Sequence, residues 1–485
     1  MGKRTSVYKN PAVIAIGKTA RVLARLRGGG GSALPGLVVE KIAPDFAPKV
    51  LGALPYGVVV VSGTNGKTTT TKIVTELLEK MGLKVLTNDT GSNFMRGVIA
   101  ALLLKMTLGG RLDADIAVLE LDEAHAVHFA KKVPPRFSLL LNVMPDQLDR
   151  FGSVEYTAGL LAQVACHTTG LVVANREDPL LAALAETAPP LQARLRWFGL
   201  SPQLLGSFSL QGSHSSEKPL SASVVLDAVQ GSHASFEIDG AAYSAELSLK
   251  GIYNAYNAAA ALALVREVLG EGDQQRDEQG NLQPAEQGSR KPDQQQDEQG
   301  NLQPAEQGSL KPDQQRDEQG SRKPDQQLDY QLIEALAKVQ GAFGRGESFI
   351  VDGREVEMVL VKNSGGFQLA LGSFDPQGYI TMTVTNDEVG DGRDISWLFD
   401  VDFSSLQKTG VTMVSGSRAY EMALRLGYDD VPFKQVEADP VVALKHLLAD
   451  ATAGDMPLRI YCCYTGMTRL HAHLSALAGG KQVAR

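Results

Sequence analysis

The sequence predicts an α/β fold built on a largely parallel sheet. Short apolar runs alternate with stretches whose apolar residues recur at helical spacing. Each apolar run ends in polar residues, as buried parallel strands do. One run, rich in valine, ends in a glycine-rich turn that opens a helical stretch. Strand, helix, strand alternation of this kind favours a sheet with its ligands at the carboxyl ends of the strands.

The elements follow in chain order. The first strand is predicted at 57–62, and a helix at 68–81, where Ile73, Leu77 and Leu78 have helical spacing. Further strands are predicted at 83–87, 116–121, 137–143 and 171–175. More serine and an alternating apolar pattern predict a small antiparallel excursion at 198–246, before a helix at 254–269. Towards the C-terminus, the pattern predicts strands at 355–361 and 379–384 and a helix at 417–426.

Length and composition limit the class of protein. A chain of 485 residues is too long for one core and suggests two or three domains. Contents of 43% hydrophobic and 21% charged residues are typical of soluble globular proteins. The net charge of −8 argues against a nucleic-acid-binding protein, because no basic excess neutralises phosphates. Cys166, Cys462 and Cys463 are too few for a disulfide framework or a four-cysteine zinc site.

No apolar stretch approaches the roughly 20 residues that span a bilayer. Lys and Arg also interrupt residues 13–26, which therefore do not form the apolar core of a signal peptide. The protein is predicted to be cytoplasmic. Lys18, Arg21, Arg25 and Arg27 in an amphipathic N-terminal segment would allow peripheral contact with the inner face of the membrane. The alternative for these residues is an ordinary solvated helix face.

Residues 273–327 are of low complexity. A phrase that starts at Asp277 recurs from Asp297, and a shortened copy starts at Asp317. The unit consists mainly of Gln, Asp, Pro and Gly, so a stack of such repeats has no apolar face to bury. We interpret 273–327 as a disordered insertion.

The glycine-rich turn predicts a phosphate site. Residues Gly63–Thr69 follow the valine strand and open a helix, which is the context of a P-loop. Glycines let the backbone wrap closely, so that amide groups and the helix N-terminus face an anion. Lys67 is expected to bridge the β- and γ-phosphates of ATP, and the Thr68 hydroxyl to bind Mg²⁺. The predicted ATP-binding residues here are Gly63, Thr64, Asn65, Gly66, Lys67, Thr68 and Thr69.

Acidic residues follow the strand predicted at 116–121. Glu120, Asp122 and Glu123 are close to one another in sequence, and carboxylate oxygens suit Mg²⁺. With Thr68, we predict Glu120 and Glu123 as the Mg²⁺ ligands. Solvated carboxylates at a strand end are the alternative.

Five stretches occur in the order expected of Mur ligases, and the sequence resembles that family: Gly63–Thr69, the strand end at Glu120, Asn142–Arg150, Asn175–Asp178 and Asn254–Asn257. More narrowly, it is similar to the MurT subfamily, the ligase subunits of lipid II isoglutaminyl synthases. The stretches that carry this likeness are 88–97, 146–150, 342–347, 361–367 and 386–403. At Gln147 a typical Mur ligase would have histidine.

The resemblance implies three domains: an N-terminal segment, 1–52, that packs on the central domain; a Mur ligase central ATPase domain, 53–272; and a Rossmann-like α/β domain of MurT type, 328–485. The low-complexity insertion, 273–327, separates the last two. It implies ATP and Mg²⁺ as cofactors and a glutaminase subunit, GatD-like and of class I glutamine amidotransferase type, as a partner in a heterodimer. The implied reaction activates the α-carboxylate of D-glutamate in the lipid II stem peptide as an acyl phosphate. Ammonia from the partner then gives D-isoglutamine.

The resemblance also implies roles for further residues. Asn254 and Asn257 would contact the adenine side of the nucleotide, and Asn175 and Asp178 would line its pocket; helix capping and turn formation are the alternatives. The predicted catalytic residues are Lys67, Glu120, Arg345, Asp391, Asp394 and Asp400. Arg345 would steady the γ-phosphate or acyl phosphate. The three aspartates, with Lys362, Asn363 and Arg393 nearby, would serve either the acyl phosphate or the glutaminase partner's histidine, or would simply form Asx turns.

Two features depart from the family. Many members carry a four-cysteine zinc ribbon, but residues 197–223 contain no cysteine, so no zinc site is predicted. The repeat insertion is the second departure. Two other functions stay open: a stand-alone Mur or folylpolyglutamate-type ligase that adds an amino acid, and an ATP-binding scaffold subunit without activity.

Overall fold

The computed structural model describes residues 7–26, 33–88, 94–144, 153–186, 191–205, 220–249, 251–274, 324–340, 345–388, 390–450 and 456–478. Within these residues the chain forms two sheets, both with helices on their two faces. The predicted α/β architecture, a P-loop domain with a parallel sheet followed by a second α/β domain, is confirmed.

In the described residues the first sheet has nine strands, in the order β2-β3-β1-β4-β5-β6-β7-β8-β9. Their bounds are β1 Val58–Ser62, β2 Val85–Thr87, β3 Ile116–Glu120, β4 Phe137–Leu140, β5 Leu171–Asn175, β6 Arg194–Leu200, β7 Val224–Gln230, β8 His233–Ile238 and β9 Ala241–Glu246. Neighbours from β2 to β7 are parallel, while β7, β8 and β9 pair antiparallel. The predicted antiparallel excursion is therefore confirmed.

Helices bury both faces of this sheet because its strands are apolar on both sides. Val59 and Val61 of β1 belong to one core, and Val58 and Val60 to the other. The helices before residue 275 are α1 Pro11–Leu26, α2 Ala33–Ile42, α3 Phe46–Leu51, α4 Lys67–Lys80, α5 Met95–Lys105, α6 Glu123–Lys132, α7 Val154–His167, the short α8 Pro179–Ala182 and α9 Pro202–Leu205, and α10 Ile252–Gln274. Helices α4 and α10 cover the first core, and α1, α2, α3, α5, α6 and α7 the second.

The second sheet has six strands in the described residues, in the order β10-β11-β15-β12-β13-β14. Their bounds are β10 Arg345–Val351, β11 Arg354–Leu360, β12 Ile380–Val384, β13 Val411–Ser415, β14 Phe433–Glu437 and β15 Leu458–Cys462. All neighbours are parallel except the β10–β11 pair. Helices α12 Ser364–Ser373 and α13 Ala419–Tyr428 cover one face, and α14 Pro440–Ala449 and α15 Tyr464–Leu477 the other.

One more helix, α11 Pro324–Ala337, follows the insertion and packs on the first sheet. Its Leu332 and Leu336 are fully buried in the core that α4 and α10 share. Arg266 of α10 forms an ion pair with Asp329 of α11, at 2.7 Å from Nε to Oδ1. Helical structure therefore extends into both ends of the span predicted as the insertion, and α11 belongs by packing to the first core. Residues 275–323, where the repeats lie, are outside the described residues.

Deletion of residues 275–323, with a short Gly-Ser link in their place, is expected to leave activity and thermal stability nearly unchanged. Shortening a flexible loop changes the free energy of unfolding by no more than about 2 kcal/mol, because closure entropy varies with the logarithm of loop length. Calorimetry of the full chain and the deletion variant measures this. A large fall in melting temperature would mean that the repeats pack against the folded core.

No helix among the described residues has both the length and the apolar character needed to cross a membrane.

Candidate functional site

The phosphate loop joins β1 to α4 at the carboxyl edge of the first sheet. Gly66 lies just before α4 with φ of 87°, a left-handed conformation that glycine adopts without strain. A Cβ at this position would lie 2.5 Å from Asn257 Oδ1. At Gly63, with φ of 133°, a Cβ would lie 3.0 Å from the backbone of Asn142. The loop therefore needs both glycines, and it presents the N-terminus of a 14-residue helix, which attracts anions.

Lys67 is buried at the start of α4. Its Nζ donates to Gly63 O at 2.6 Å and lies 3.5 Å from Asp122 Oδ1 and 3.8 Å from Glu123 Oε1. The ammonium group is thus held over the mouth of the loop, among groups that stabilise its charged form. This is the position from which a cation serves phosphates bound at the loop.

The Thr68 hydroxyl donates to Glu120 Oε1 at 2.9 Å. Asn88, which follows β2, fixes the backbone of Glu120 by donating to its carbonyl at 2.8 Å and accepting from its amide at 3.0 Å. No group of three or more His, Cys, Asp and Glu side chains in the described part of the chain is arranged to hold a metal ion. A hydroxyl and one carboxylate side by side suit Mg²⁺, which usually takes few protein ligands and completes its shell with water and phosphate.

Asn142, after β4, clamps the phosphate loop and was missed as a site residue. Its carbonyl accepts from the Thr64 amide at 2.9 Å. Its side chain accepts from the Asn65 amide at 2.8 Å and donates to the Asn65 carbonyl at 3.0 Å. Asn88 was missed in the same way. Both asparagines follow strands close to β1 in the sheet. A polar residue at the end of such a strand was the sequence signal that could have identified them as site residues.

Asn175 and Asp178 are buried behind the loop. Asn175 donates to Leu141 O at 3.0 Å and accepts from the Tyr256 hydroxyl. Asp178 Oδ2 accepts from the Val143 amide at 2.6 Å, and its Oδ1 caps α8. Burial raises the pKa of Asp178, against the opposing effect of these amides. Both side chains thus hold the backbone of the segment after β4, on either side of Asn142.

Asn254 and Asn257 lie in the first turns of α10 and are partly exposed. The Asn257 amide oxygen approaches Gly66, so this side chain borders the phosphate loop. Asn254 donates its backbone amide to Gly251 O at 3.0 Å. Asn257 therefore lies beside the phosphate loop, and Asn254 lies about one turn earlier in α10.

The second domain touches the phosphate loop directly. Asn363, the N-cap of α12, pairs with Asn65 through two reciprocal amide hydrogen bonds of 3.3 Å. Lys362 Nζ donates to Thr64 O at 3.4 Å. A Cβ on Gly365 would lie 2.8 Å from Met144 Sδ, so the glycines of this turn allow the close approach. The two domains thus meet at the phosphate site.

The predicted aspartates of the second domain are dispersed. Asp391 is buried and accepts from the Thr465 amide at 2.9 Å and from the Thr465 hydroxyl, at the start of α15. Asp394 is exposed, and the Ser396 amide that donates to it lowers its pKa. Asp400 and Arg393 are also exposed. Arg345 begins β10, opposite Val359, but its side chain is outside the described part of the structure. None of the three aspartates contacts the phosphate loop in the described residues, whereas Lys362 and Asn363 do.

Family models match most of the two domains. Residues 61–265 match the Mur ligase middle domain, and residues 360–467 match the MurT ligase C-terminal domain. The chain belongs to the Mur ligase family. Its C-terminal domain is of the MurT type, and the predicted family is confirmed. Mur ligases are ATP-dependent, and this chain is an ATP-dependent ligase.

Relatives over nearly the full length share the MurT name. The chain is 26% identical to the lipid II isoglutaminyl synthase (glutamine-hydrolyzing) subunit MurT of Streptococcus pneumoniae, over 86% of each chain. It is 23% identical to the subunit of that name from Staphylococcus aureus, over 96% of this chain and 95% of the relative. Among solved structures, the MurF ligase of Thermotoga maritima in complex with ADP shares the fold, with a TM-score of 0.59 at 18% identity over 92% of this chain and 84% of that chain.

In this Mur ligase, replacement of Gly66 by alanine is expected to weaken nucleotide binding by about tenfold or more. The Cβ would meet Asn257 and the backbone would keep a positive φ, at a cost of about 1–2 kcal/mol. Isothermal titration with ATP measures the binding. Gly82→Ala is the matched control, because φ there is 90° and a Cβ would meet nothing within 4 Å. Equal ATP binding by the Gly66 and Gly82 variants would contradict the assigned loop geometry.

The three cysteines of this ligase are expected to differ in reactivity because they differ in burial. Cys462 and Cys463 are buried and Cys166 is exposed. Burial raises the pKa of Cys463 to about 12 and that of Cys462 well above its usual range. Because thiolate is the reactive form, both buried thiols are expected to resist a thiol reagent at neutral pH and to react only as the pH approaches 12. Titration of the native chain should therefore detect Cys166 alone, and a Cys166→Ser variant should show no fast thiol.

Proposed function

We propose that this chain amidates the α-carboxylate of D-glutamate in the lipid II stem peptide, with ATP as the energy source and ammonia as the nitrogen donor. The product is D-isoglutamine. The proposal follows from the MurT-type relatives, which are named as subunits of a glutamine-hydrolysing lipid II isoglutaminyl synthase. As a subunit of such a synthase, this chain would work with a partner. That partner is proposed to be a glutaminase.

One observation carries the proposal: a complete phosphate loop meets the MurT-type domain. Asn65 of the loop pairs with Asn363 at the N-cap of α12, and Lys362 reaches the carbonyl of Thr64. A cation and a helix N-terminus thereby face the loop from the opposite domain. An acceptor carboxylate and the γ-phosphate of ATP both carry negative charge and would repel each other. Positive groups from both domains at the phosphate loop would reduce this repulsion and support their close approach.

The first step is proposed to be phosphoryl transfer from ATP to the acceptor. A carboxylate oxygen attacks the γ-phosphorus, the bond to the β–γ bridging oxygen breaks, and ADP leaves. Lys67 would neutralise the β- and γ-phosphates, and the α4 N-terminus would donate amide hydrogen bonds to them. Thr68 and Glu120, with Glu123 nearby, would hold Mg²⁺, which supplies charge neutralisation and orientation of the phosphates.

The second step is proposed to join ammonia to the activated carboxyl group. Ammonia attacks the acyl carbon of the acyl phosphate, and the C–O bond to phosphate breaks. The nitrogen loses one proton, the departing phosphate takes it up as hydrogen phosphate, and the carboxamide remains. Lys362, facing the loop, would stabilise the charge on the departing phosphate. The buried, high-pKa thiols of Cys462 and Cys463 are unsuited to hydrolyse glutamine. Cys166 is exposed but lies in the last turn of α7, away from the helix N-terminus that favours a thiolate. Both observations support a separate glutaminase as the ammonia source.

Roles are also proposed for the remaining predicted residues. Arg345 would steady the acyl phosphate. Asp394 and Asp400, both exposed, would be available to a partner subunit, whereas Asp391 is occupied by Thr465 and would act by fixing the start of α15. Asn254 and Asn257 would border the nucleotide, and Asn175 and Asp178 would support the loop from behind. The site of action is proposed to be the cytoplasmic face of the membrane, where lipid II would be accessible to this chain; none of its described helices could span the bilayer.

The test is reconstitution of the two subunits. The chain, co-purified with a class I amidotransferase-type glutaminase from the same organism, is incubated with lipid II, ATP, Mg²⁺ and glutamine. Mass spectrometry is expected to show the shift from carboxylate to carboxamide, together with ADP release that depends on lipid II. Ligation of a free amino acid by the chain alone would instead support the amino-acid ligase. Absence of lipid II-dependent ADP release would favour the scaffold.

A further inference from the structure

Helix α1 (Pro11–Leu26) exposes an apolar face to solvent. Ile16, Val22, Leu23 and Leu26 are 47%, 58%, 54% and 79% exposed, and we call these four residues the apolar stripe. At about 3.6 residues per turn they fall on one side of the helix. The other residues on that side are Ala12, Ala15 and Thr19, all exposed. The side is thus apolar along the whole helix, with threonine as its most polar residue.

Packing of α1 on the protein does not use this stripe. A different side of the helix, with Val13, Ile14 and Ala24, is buried against the domain. Gly17 allows α1 to pack closely on α5 and α2, since a Cβ there would lie 2.7 Å from Leu103 of α5 and 2.8 Å from Val39 of α2. The helix is therefore fixed in orientation, and the stripe faces outward.

Basic residues run along the stripe. Lys18 and Arg21 are partly exposed, and they lie at a spacing of three residues between the buried side and the stripe. Arg25 follows Arg21 by four residues in the sequence, again about one helical turn. Residues 1–42 contain eight Lys and Arg and a single acidic residue, Glu40, although the whole chain has a net charge of −8. Positive charge is thus concentrated in the N-terminal part of the sequence, which includes the helix that carries the stripe, in an otherwise acidic protein.

We propose that the apolar stripe of α1 lies in the headgroup region of an anionic lipid bilayer and holds the protein on the membrane. Aliphatic side chains on one face and Lys and Arg beside them are the pattern of helices that lie in a membrane interface. Protein interfaces are instead enriched in aromatic side chains, and the stripe contains only Ile, Val and Leu. Basic residues beside the stripe complement the negative surface potential of anionic lipids.

The proposed membrane binding is independent of the proposed reaction. It can therefore be tested by measuring binding to vesicles in the absence of substrate. The full chain is sedimented with vesicles of phosphatidylcholine alone, or of phosphatidylcholine and phosphatidylglycerol in equal parts. We expect roughly tenfold stronger partitioning to the anionic vesicles, lost at about 1 M NaCl, where charges are screened within a few ångströms. Lys67→Ala is expected to bind vesicles like the wild type, so failure of the ligase proposal leaves this result intact.

Two variants distinguish vesicle binding through the apolar stripe from non-specific adsorption of the protein to vesicles. The Val22→Ser/Leu23→Ser variant is expected to bind anionic vesicles about tenfold more weakly, or weaker still. The Lys18→Gln/Arg21→Gln variant is expected to lose most of the preference for anionic over neutral vesicles. Tyr420→Ser/Leu424→Ser on α13 is the matched control, because these residues are 73% and 58% exposed on another part of the surface. Circular dichroism and melting temperature establish that each variant is folded.

Three outcomes would overturn the proposal. The first is equal binding of the wild type and the Val22/Leu23 variant to anionic vesicles. The second is binding that the Tyr420/Leu424 control loses to the same degree. The third is a wild-type chain that ignores vesicles but self-associates in sedimentation velocity through the stripe, because a second copy would then be its occupant.

Discussion

The Lys67→Ala variant is expected to lose ATP-dependent ligation by at least about a thousandfold while remaining folded. Lys67 is the cation at the phosphate loop, with Nζ 2.6 Å from Gly63 O and within 4 Å of Asp122 and Glu123. Its removal leaves the β- and γ-phosphates without a positive side chain from the loop. ADP release in the presence of acceptor and ammonia measures the loss.

Ligand-linked stability gives a second readout for Lys67. ATP at about a hundred times its dissociation constant should stabilise the wild-type fold by about 2.7 kcal/mol, and this increment should disappear in the variant. Lys72→Ala, one turn further along α4, is the matched control, because Lys72 pairs with Glu76 at 3.4 Å on the same helix. Full activity in Lys67→Ala would reject the assignment of the phosphate site.

The second large effect concerns the MurT-type domain and its buried ion pair. Arg459 of β15 and Glu357 of β11 are cross-strand neighbours, only 4% and 1% exposed, with Nε and Oε2 2.8 Å apart. Arg459 also donates to Asp375 O at 2.6 Å and stacks over the ring of Tyr379 at 3.6 Å. Arg459→Met is expected to cost about 3–5 kcal/mol, because it leaves the Glu357 carboxylate buried without its partner.

Calorimetry should detect the Arg459→Met change as a fall in melting temperature of roughly 10 °C. The double variant Arg459→Met/Glu357→Leu should recover most of the loss, since it removes the orphaned charge together with its partner. A double variant as unstable as Arg459→Met would mean that the stacking and the Asp375 contact, rather than the charge pair, carry the effect.

Local patterns were sufficient to predict the centre of the fold. Strand β1, the glycine turn and α4 were predicted within a residue of their observed ends, because an apolar strand, two glycines with positive φ and helical spacing all act within one short stretch. Thr68 and Glu120 were also predicted together, and they are hydrogen bonded. Their strands are neighbours in a parallel sheet, so both residues lie at one edge.

Contacts between distant segments were harder to predict. Asn142 clamps Asn65 across 77 residues of sequence, and Asn363 pairs with it across 298. An asparagine after a strand has many possible roles, and only the tertiary fold selects one. Asp391 illustrates the converse. It lies in a stretch rich in predicted functional residues, yet its carboxylate caps α15 through Thr465.

Helix α11 shows a further limit of local reasoning. No helix was predicted at 324–337, although Leu328, Leu332 and Leu336 have helical spacing, and that spacing does not identify the core that the helix joins. Their burial against α4 and α10 rather than against the second sheet depends on the whole arrangement of the first domain.

The return of α11 to the first core has a consequence for how this chain tolerates its repeats. Helix α10 precedes the repeats and α11 follows them, and both helices pack in the same core, where Arg266 forms ion pairs with Asp239 and Asp329. The crossing to the MurT-type domain comes only afterwards. Repeats can therefore be gained or lost by slippage at the gene level without altering the tether between the two halves of the catalytic cleft.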